Sequence, residues 1–373
     1  MSASDPTGSE RDLPRLHLRG VVLPEGDVRD LWVVDGVVTT EPVRDARTVA
    51  TSGWILPGLV DAHCHVGLDA NGAVPDAEAE RQALADRDAG ALLLRDAGSP
   101  ADTRWIDSRP DLPRIIRAGR HIARPKRYLR NYGEEVDPAD LVATVERQVA
   151  RGDGWVKLVG DWVDRDLGDL SPLWPPAVAA RAIARAHELG ARVTAHCFGA
   201  QSAAELVGVG IDGIEHGTGL EETTISQMAA RGVALVPTLL QTDNFESYAR
   251  AGEAKFPAYA RHMRMLAARR DATLRTAYEA GVPIYAGTDA GGYLPHGLVA
   301  HEVAALGRLL PVEAALGAGC WSARAWLGHS DRLAEGAPAD LVVLDADPRL
   351  DLAALQTPRA VVLRGVVVRE EKA

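Results

Sequence analysis

Four histidines, one lysine and one aspartate lie at or near the ends of short apolar runs, just before glycine or other small residues. Neutral imidazoles and carboxylates are ligands that divalent metal ions prefer. The carboxyl ends of the strands in a parallel β/α barrel carry its active site, so side chains at successive strand ends converge there. The sequence therefore predicts a metal centre that activates water for hydrolysis. The candidate metal ligands are His63, His65, Lys157, His196, His216 and Asp289.

Two of these histidines occur in the segment LVDAHCHVG, separated by one residue. Side chains at positions i and i+2 of a strand point to the same face, so His63 and His65 share a face and Cys64 takes the other. Two imidazoles on one face suit a single ion, and we expect Cys64 to be a packing residue. Asp289 lies between IYAGT and AGG, and a buried carboxylate without a partner is too costly to be filler.

Lys157, in the segment WVKLVGD, admits two interpretations. An ammonium group among metal ions would be repelled, so the side chain could extend outward and keep its charged end in water. Alternatively, carboxylation of the amine by CO2 would reverse its charge and give a bidentate ligand that bridges two ions. The residue alone does not decide between these interpretations.

Size and charge restrict the class of protein. The chain has 373 residues, of which 46% are hydrophobic and 25% charged, and its net charge is −11. An acidic chain lacks the basic face that nucleic acid binding requires, so we expect a small-molecule substrate. We find no signal peptide, no apolar run near the roughly 18 residues of a membrane span, and no disulfide framework among the three cysteines. The sequence therefore predicts a cytoplasmic protein without a membrane partner, and a homo-oligomer stays open.

Short apolar runs alternate with amphipathic segments of helical length, which is typical of an α/β fold with a parallel sheet. Eight strand candidates are present, the number that a closed (β/α)8 TIM-like barrel requires. They cover residues 56–64, 91–96, 114–119, 155–160, 192–197, 212–216, 233–238 and 283–288. Helix candidates cover 177–190, 200–209, 222–231, 257–280 and 297–309.

The two ends of the chain are instead rich in β-forming residues. We therefore predict a barrel over residues 57–330 and a small β-sandwich-like domain built from residues 13–56 and 331–373. Residues 1–12 are predicted to form a disordered tail because they are polar and lack an apolar pattern.

The segments that carry the candidate ligands resemble the amidohydrolase superfamily, in particular its imidazolonepropionase-like and prolidase-like members. GWILPGLVDAHCHVGL is similar to the first barrel strand of that family and LLLRDAGSP to the second. GDGWVKLV, VTAHCFG, DGIEHGTGL and AGTDAGG occur where the later strands should. The tail LAEGAPADLVVLDADPRLDLAAL is similar to the closing β segment of the family, so the resemblance covers most of the chain.

This resemblance implies an amidohydrolase that cleaves a C–N amide or peptide bond through a hydroxide bridging two divalent metal ions, with zinc as the expected metal. The implied substrate is an N-acyl amino acid or a dipeptide-like molecule. The first ion would be held by His63, His65 and Asp289, and the second by His196 and His216.

In the same family pattern, Lys157 would be carboxylated by CO2 and would bridge the ions, while Asp289 would move the proton from the attacking hydroxide to the leaving amine. One alternative is a mononuclear hydrolase of a cyclic amide, lactone or imidazolone, in which Lys157 stays unmodified. Another is a non-catalytic scaffold homologue, whose hallmark would be the loss of ligands, although all six are present. Deaminating members usually carry an acidic residue soon after the strand-five histidine, and residues 197–201 contain none.

The loop of residues 121–135 is a local basic cluster in an otherwise acidic chain. Loops at this end of a barrel line the substrate pocket, and arginine can bind a carboxylate through two hydrogen bonds. A solvated run of charge is the alternative interpretation. The candidate substrate-binding residues are Arg127, Arg130, Tyr128, Tyr132 and, after the eighth strand candidate, His296.

Two acidic residues lie close to the ligands in the sequence. Asp61 shares the face of His63 and is expected either to orient a ligand imidazole or to make a structural hydrogen bond. Glu215 precedes His216, and strand alternation predicts that its side chain faces the helices and forms a salt bridge there.

Overall fold

The computed structural model describes residues 13–371, and the predicted disordered tail, residues 1–12, lies outside the described residues. Five strands open the described chain, and in the first of them every second side chain is buried, from Leu16 to Val22. Asp35 and Gly36 adopt positive φ values of 51° and 80° and turn the chain between two strands, as hairpins require. The strands are β1 (Leu16–Val22), β2 (Asp27–Val34), β3 (Val37–Thr39), β4 (Arg47–Ala50) and β5 (Trp54–Pro57).

The middle of the chain alternates strands and helices, as predicted. Its strands are β6 (Leu59–Cys64), β7 (Leu68–Asp69), β8 (Gly72–Ala73), β9 (Ala91–Asp96), β10 (Arg114–Arg117), β11 (Ile122–Ala123), β12 (Glu134–Glu135), β13 (Trp155–Val159), β14 (Asp161–Asp164), β15 (Asp169–Pro172), β16 (Arg192–Cys197), β17 (Gly213–His216) and β18 (Ala234–Val236).

The helices are α1 (Asp76–Asp88), α2 (Leu141–Arg151), α3 (Pro176–Glu188), α4 (Ala200–Gly208), α5 (Glu222–Arg231), α6 (Leu239–Thr242), α7 (Phe245–Glu253), α8 (Pro257–Glu279), α9 (Val299–Leu306), α10 (Val312–Ala318) and α11 (Trp321–Trp326). All five predicted helices are confirmed, as α3, α4, α5, α8 and α9, although α9 is shorter at both ends than predicted.

Two parallel sheets form the centre of the molecule. One sheet has the order β10–β9–β6, and the other has the order β12–β11–β13–β16–β17–β18. Strands such as β13 are buried along their whole length, because helices cover the outer face and side chains fill the inner face. Parallel strands with helical connections define a TIM-barrel-like α/β fold.

The eighth predicted strand, residues 283–288, is not a regular strand in the described chain. Only isolated parallel bridges are formed, from Ile284 to Leu235 and from Ala290 to Cys64. Pro283 has no N–H group to donate, and Asp289 has a φ of 58°, so the segment does not continue as an extended ladder. It still runs between β18 and β6, which positions Asp289 beside the histidines of β6.

The two ends of the chain meet in one eight-stranded sheet. The last three strands are β19 (Leu341–Leu344), β20 (Ala360–Leu363) and β21 (Val366–Glu370), and the sheet has the order β21–β20–β19–β5–β1–β2–β3, with β4 beside β1. Its inward side chains, including Leu18, Leu31 and Val343, form an apolar cluster separate from that of the parallel sheets. Within residues 13–371, none of the helices combines the length and apolar character that crossing a bilayer needs.

Candidate functional site

Three predicted ligands converge where β6 ends. The Nε2 atom of His63 lies 3.2 Å from Nε2 of His65 and 3.1 Å from Oδ1 of Asp289, and His65 Nε2 lies 2.8 Å from the same oxygen. Two ligands at about 2.0–2.1 Å from a tetrahedral ion lie about 3.4 Å apart, so these three atoms suit one ion. Cys64 faces the other way, with its sulfur 3.9 Å from the carbonyl oxygen of Arg95, as the alternation predicts.

The other two histidines lie next to this group. The ring centroid of His216 is 4.7 Å from that of His196 and 5.5 Å from that of His63. His196 is 4% exposed, and its Nε2 atom has no hydrogen-bond partner among the described residues. Burial lowers the pKa of His196 well below its usual value and that of His216 to about 3. Both rings are therefore neutral near pH 7, as metal ligation requires, and an orphaned nitrogen suits a missing ligand bond.

Lys157 points into the centre of the fold. The side chain is 1% exposed, and on β13 it is in register with Thr194 of β16. The Lys157 side chain therefore does not extend outward into water. Burial, partly opposed by the charges of Glu215 and Asp289, lowers the pKa of Lys157 to about 8. The amine is consequently easier to deprotonate than an ordinary lysine.

The position of Glu215 differs from the sequence prediction, since its side chain lies at the candidate site. The prediction that it faces the helices is wrong, because its carboxylate is fully buried and lies 2.7 Å from Nδ1 of His63. Glu215 is in register with His196 on the adjacent strand, so both side chains point to the same face. His216 follows Glu215 and has a φ of 66°, so the His216 side chain turns inward as well. Strict alternation therefore fails at this strand end.

A buried cation completes this arrangement. Arg95, which is 0% exposed, donates from Nη2 to Oε1 of Glu215 over 2.6 Å and from Nε to the carbonyl oxygen of Ala62 over 2.7 Å. Its guanidinium stacks on the rings of Trp155 and Trp326 at 4.7 and 5.0 Å. Burial would raise the pKa of Glu215, but the charges of Arg95, His63 and Lys157 hold it well below its usual range. The signal that could have revealed Arg95 is a charged residue inside the apolar run LLLRDAG.

Each ligand imidazole except that of His196 has a partner at its Nδ1 atom. His65 Nδ1 is 2.7 Å from the carbonyl oxygen of Gly98, and His216 Nδ1 is 2.7 Å from the hydroxyl of Thr238. Together with the bond between His63 and Glu215, these contacts turn the Nε2 atoms toward the centre. Asp61 makes the structural bonds instead, because it accepts from the backbone N–H groups of His63 and Thr288 at 3.1 Å each.

Three residues at the site adopt left-handed backbone conformations that glycine would adopt more easily. The φ values are 66° for His216, 46° for Thr238 and 58° for Asp289. Each such residue costs on the order of 1–3 kcal/mol, most for the β-branched Thr238, and this strain clusters at functional sites. It turns each side chain of this group away from the direction that a regular strand would give it.

A cavity of about 360 Å³ adjoins these groups and is lined at its base by His65, His196 and Asp289. The predicted substrate residues Tyr128 and Tyr132 also line it.

The other three predicted substrate residues, Arg127, Arg130 and His296, are not among its lining residues. Arg127 donates to Asp164 over 2.8 Å and to the Ser171 hydroxyl over 2.8 Å, and His296 is bonded to Asp86 over 2.7 Å. The lining cations are Lys126 and Arg165, and Asp289 is its one acidic residue.

The TIM-barrel-like fold brings a His, His, Asp group to the strand ends, where it could hold a metal ion. The model of the amidohydrolase family matches residues 171–368, and the chain belongs to this family. It is therefore a hydrolase that acts on carbon–nitrogen bonds, on a prolidase-like variant of the fold.

The chain is also similar to other proteins in sequence and to solved structures in fold. The chain is 55% identical over 353 residues to uncharacterized proteins of Mycobacterium tuberculosis and Mycobacterium bovis, which covers 94% of this chain and 95% of each relative. It is similar in fold to a Xaa-Pro dipeptidase with bound methionine, with 20% identity, a TM-score of 0.80, and 95% and 99% of the two chains covered. It is also similar to the Aspergillus (A. niger) ochratoxinase, with 18% identity, a TM-score of 0.80 and 96% of each chain covered.

Proposed function

We propose that this protein hydrolyses the amide or peptide bond of an N-acyl amino acid or dipeptide-like substrate with the help of two divalent metal ions, with zinc as the expected metal. The observation that carries the proposal is the convergence of four buried imidazoles, three of them with a pKa lowered by burial and one of these three with an orphaned Nε2 atom. The reaction breaks the C–N bond, and the hydroxyl of water goes to the acyl carbon while a proton goes to the nitrogen.

The proposed ligand sets follow the positions of the side chains. His63, His65 and Asp289 would hold one ion, and His196 and His216 would hold a second. Lys157, carboxylated by CO2, would bridge the two, since its buried amine has a pKa of about 8 and carboxylation consumes the neutral amine. Divalent ions bound there would lower the pKa of water and polarise the substrate carbonyl.

Asp289 is proposed to move the proton. Burial would raise the pKa of Asp289, but the charges and hydrogen bonds of His63 and His65 hold it well below its usual range. Asp289 is therefore a carboxylate near pH 7, and it lines the cavity with 14% of its side chain exposed. It could accept a proton at the carboxylate and deliver it to the leaving nitrogen.

Recognition of a substrate carboxylate is proposed to come from Lys126 and Arg165. Both line the cavity, and neither forms an ion pair among the described residues. Arg127, which the sequence favoured, is instead neutralised by Asp164 and braces the β14–β15 hairpin. Arg130 and His296 do not reach the cavity lining.

A mononuclear hydrolase of a cyclic amide, lactone or imidazolone is the second candidate. The observation that favours it is that only His63, His65 and Asp289 bring ligand atoms within 4.8 Å of one another in the described chain. In that case Lys157 would stay unmodified. A non-catalytic scaffold is not favoured, because its hallmark would be the loss of ligands and all six candidate ligand residues are present.

We further propose that the two parallel sheets and the segment 283–290 act as one barrel over residues 57–330. The backbone supports this, because Ala62 N–H donates to Ala286 over 2.8 Å and Leu235 N–H donates to Pro283 over 2.8 Å. The end-to-end sheet, residues 13–56 and 331–373, would be the smaller domain, and its separate apolar cluster supports that division.

Metal content of freshly purified protein, measured by inductively coupled plasma mass spectrometry, tests the proposal. About two ions per chain and hydrolysis of N-acyl amino acids or dipeptides are expected; about one ion would favour the mononuclear candidate. His196→Ala should remove about one ion, whereas the matched change His187→Ala, at an exposed histidine paired with Asp212, should remove none. No bound ion, with no recovery after metal is added, would overturn the proposal.

A further inference from the structure

Most tyrosines and phenylalanines of this chain lie around one cavity, whereas only one of its eight tryptophans, Trp162, lines it. Aromatic residues make up only 5% of the sequence, yet five of its seven tyrosines and two of its three phenylalanines line the cavity beside the metal ligands. This distribution points to an apolar ligand.

The rings lie directly beside the reacting groups. The Phe198 ring centroid is 4.3 Å from that of His196, and the Tyr128 and Trp162 centroids are 5.7 and 5.4 Å from it. Tyr128 and Trp162 meet edge to face at 4.9 Å with an angle of 70°. A ring of the substrate could add to this arrangement through the same edge-to-face contacts that aromatic pairs prefer.

Two rings are not explained by the fold itself. Tyr132 lines the cavity and is 3% exposed, and its hydroxyl has no hydrogen-bond partner in the described chain. An unsatisfied buried hydroxyl is costly unless a ligand supplies its partner. Tyr293 lines the cavity and is 55% exposed, so it leaves a large apolar surface in water next to Tyr248, 6.2 Å away. Both observations fit a cavity that a substrate completes.

We propose that this cavity selects amide substrates that carry an aromatic or polycyclic apolar group, and that Tyr128, Trp162, Phe198 and Tyr293 bind that group. The inference rests on the proposed amide hydrolysis and narrows its substrate class. The volume of about 360 Å³ lies in the range of pockets that enclose whole small-molecule ligands, about 300–1,000 Å³. A small aliphatic substrate such as N-acetylalanine would leave most of this apolar wall in contact with water.

Paired substrates with the same reacting bond test the inference. N-acetyl-L-phenylalanine is compared with N-acetyl-L-alanine, and N-phenylacetylglycine with N-acetylglycine, using kcat/KM. An increase of at least about 30-fold is expected for one aromatic member, since burying about 100 Å² of apolar surface supplies that factor. Ratios within about threefold in both pairs would overturn the inference.

A matched pair of variants separates the cavity from general effects. Tyr293→Ala should reduce the aromatic preference about fivefold to tenfold, whereas Tyr278→Ala, at an exposed tyrosine of α8 outside the cavity lining, should not change it. Both tyrosines are at least 37% exposed, so neither change should unfold the protein. An equal loss for aromatic and aliphatic substrates in Tyr293→Ala would count against the inference.

Binding without turnover distinguishes failure of the cavity from failure of the proposed reaction. Phenylacetate and acetate are titrated into metal-loaded protein and followed by the fluorescence of Trp162, with Trp162→Phe as the reference. Tighter binding of phenylacetate by at least tenfold, without cleavage of any amide, would preserve the cavity inference and overturn the proposed function. Equal binding of the two acids would overturn the cavity inference even if amides are cleaved.

Discussion

Glu215→Gln should weaken both the fold and the metal centre, because Glu215 is bonded to Arg95 on one side and to His63 on the other. The side chains of Arg95 and Glu215 are both 0% exposed, so water does not screen their interaction. The glutamine has nearly the same shape but no charge. The change therefore leaves the Arg95 guanidinium as an uncompensated buried cation, and it replaces one of the two acceptor oxygens that face Arg95 and His63 by an NH2 donor.

The size of the effect follows from these contacts. Two unit charges about 4 Å apart interact by about 4 kcal/mol at an effective dielectric constant of about 20. Removing one partner of a buried pair typically costs about 3–5 kcal/mol for the same reason. Loss of the carboxylate behind a ligand histidine typically lowers metal affinity 10-fold to 100-fold. We expect losses of these magnitudes in Glu215→Gln.

Two assays separate the effects. Urea unfolding of metal-free protein gives the free energy of unfolding, and competition with a chelator gives the affinity for Zn²⁺. Glu302→Gln is the matched control, because Glu302 is also 0% exposed but bonds only the backbone N–H groups of Leu239 and Leu240. Burial raises the pKa of Glu302 to about 8, so it is largely protonated at pH 7 and its change to glutamine removes little charge there.

A Glu215→Gln variant would contradict this expectation if its free energy of unfolding falls by less than about 1 kcal/mol and its affinity for Zn²⁺ stays within twofold of wild type. A loss of stability with unchanged metal affinity would show that Glu215 only neutralises Arg95. Equal losses in Glu215→Gln and Glu302→Gln would mean that any buried glutamate has this effect.

Four further predictions concern single residues. Asp289→Asn should fold normally but lose at least about 100-fold in kcat, and activity within tenfold of wild type would exclude proton transfer by Asp289. Lys157→Met should bind about one ion fewer by mass spectrometry, and unchanged stoichiometry would exclude a bridging lysine. Burial raises the pKa of Glu302 to about 8 in the folded protein, whereas the unfolded chain releases this proton near about 4.3. The free energy of unfolding, compared with that of Glu302→Gln, should therefore fall by up to about 1.4 kcal/mol per pH unit as the pH rises from 5 to 8. Urea unfolding at several pH values measures this difference. Lys126→Ala should raise KM for an N-acetyl amino acid but not for its neutral amide, and an equal effect on the KM of both substrates would exclude a carboxylate contact at Lys126. Arg127→Ala should instead lower the melting temperature, because Arg127 is paired with Asp164.

Most of the candidate metal centre could be predicted from the sequence because the relevant rules are local. His63 and His65 follow from strand alternation, and His196 follows from its position at the end of an apolar run. The sequence does not determine the direction of the Lys157 side chain, since only the packing around β13 shows which way it points. Strand ends in a parallel sheet gather at one edge, which brings such residues together without knowledge of the tertiary contacts.

The remaining features depend on contacts between distant parts of the chain. The inward position of His216, next to an inward Glu215, depends on the left-handed backbone conformation of His216, which the residue type does not indicate, since His is not glycine. Arg127 is held by Asp164, 37 residues away, and His296 by Asp86, 210 residues away. Residues 283–290 also pack closely against β6, so closely that a Cβ atom on Gly287 would lie 2.6 Å from Cβ of His63. Such contacts have no periodic signal.

The sheet that joins the two chain ends has a consequence for synthesis of the protein in the cell. Strand β5 pairs with β19, in which Leu341 is the partner of Pro57, so this pairing waits until almost the whole chain has been translated. At about 5–20 residues per second, the wait is roughly 15–60 s. During that time β5 presents an unpaired edge to other nascent chains, which favours aggregation. Soluble yield should therefore depend on how fast the ribosome passes through the middle of the message.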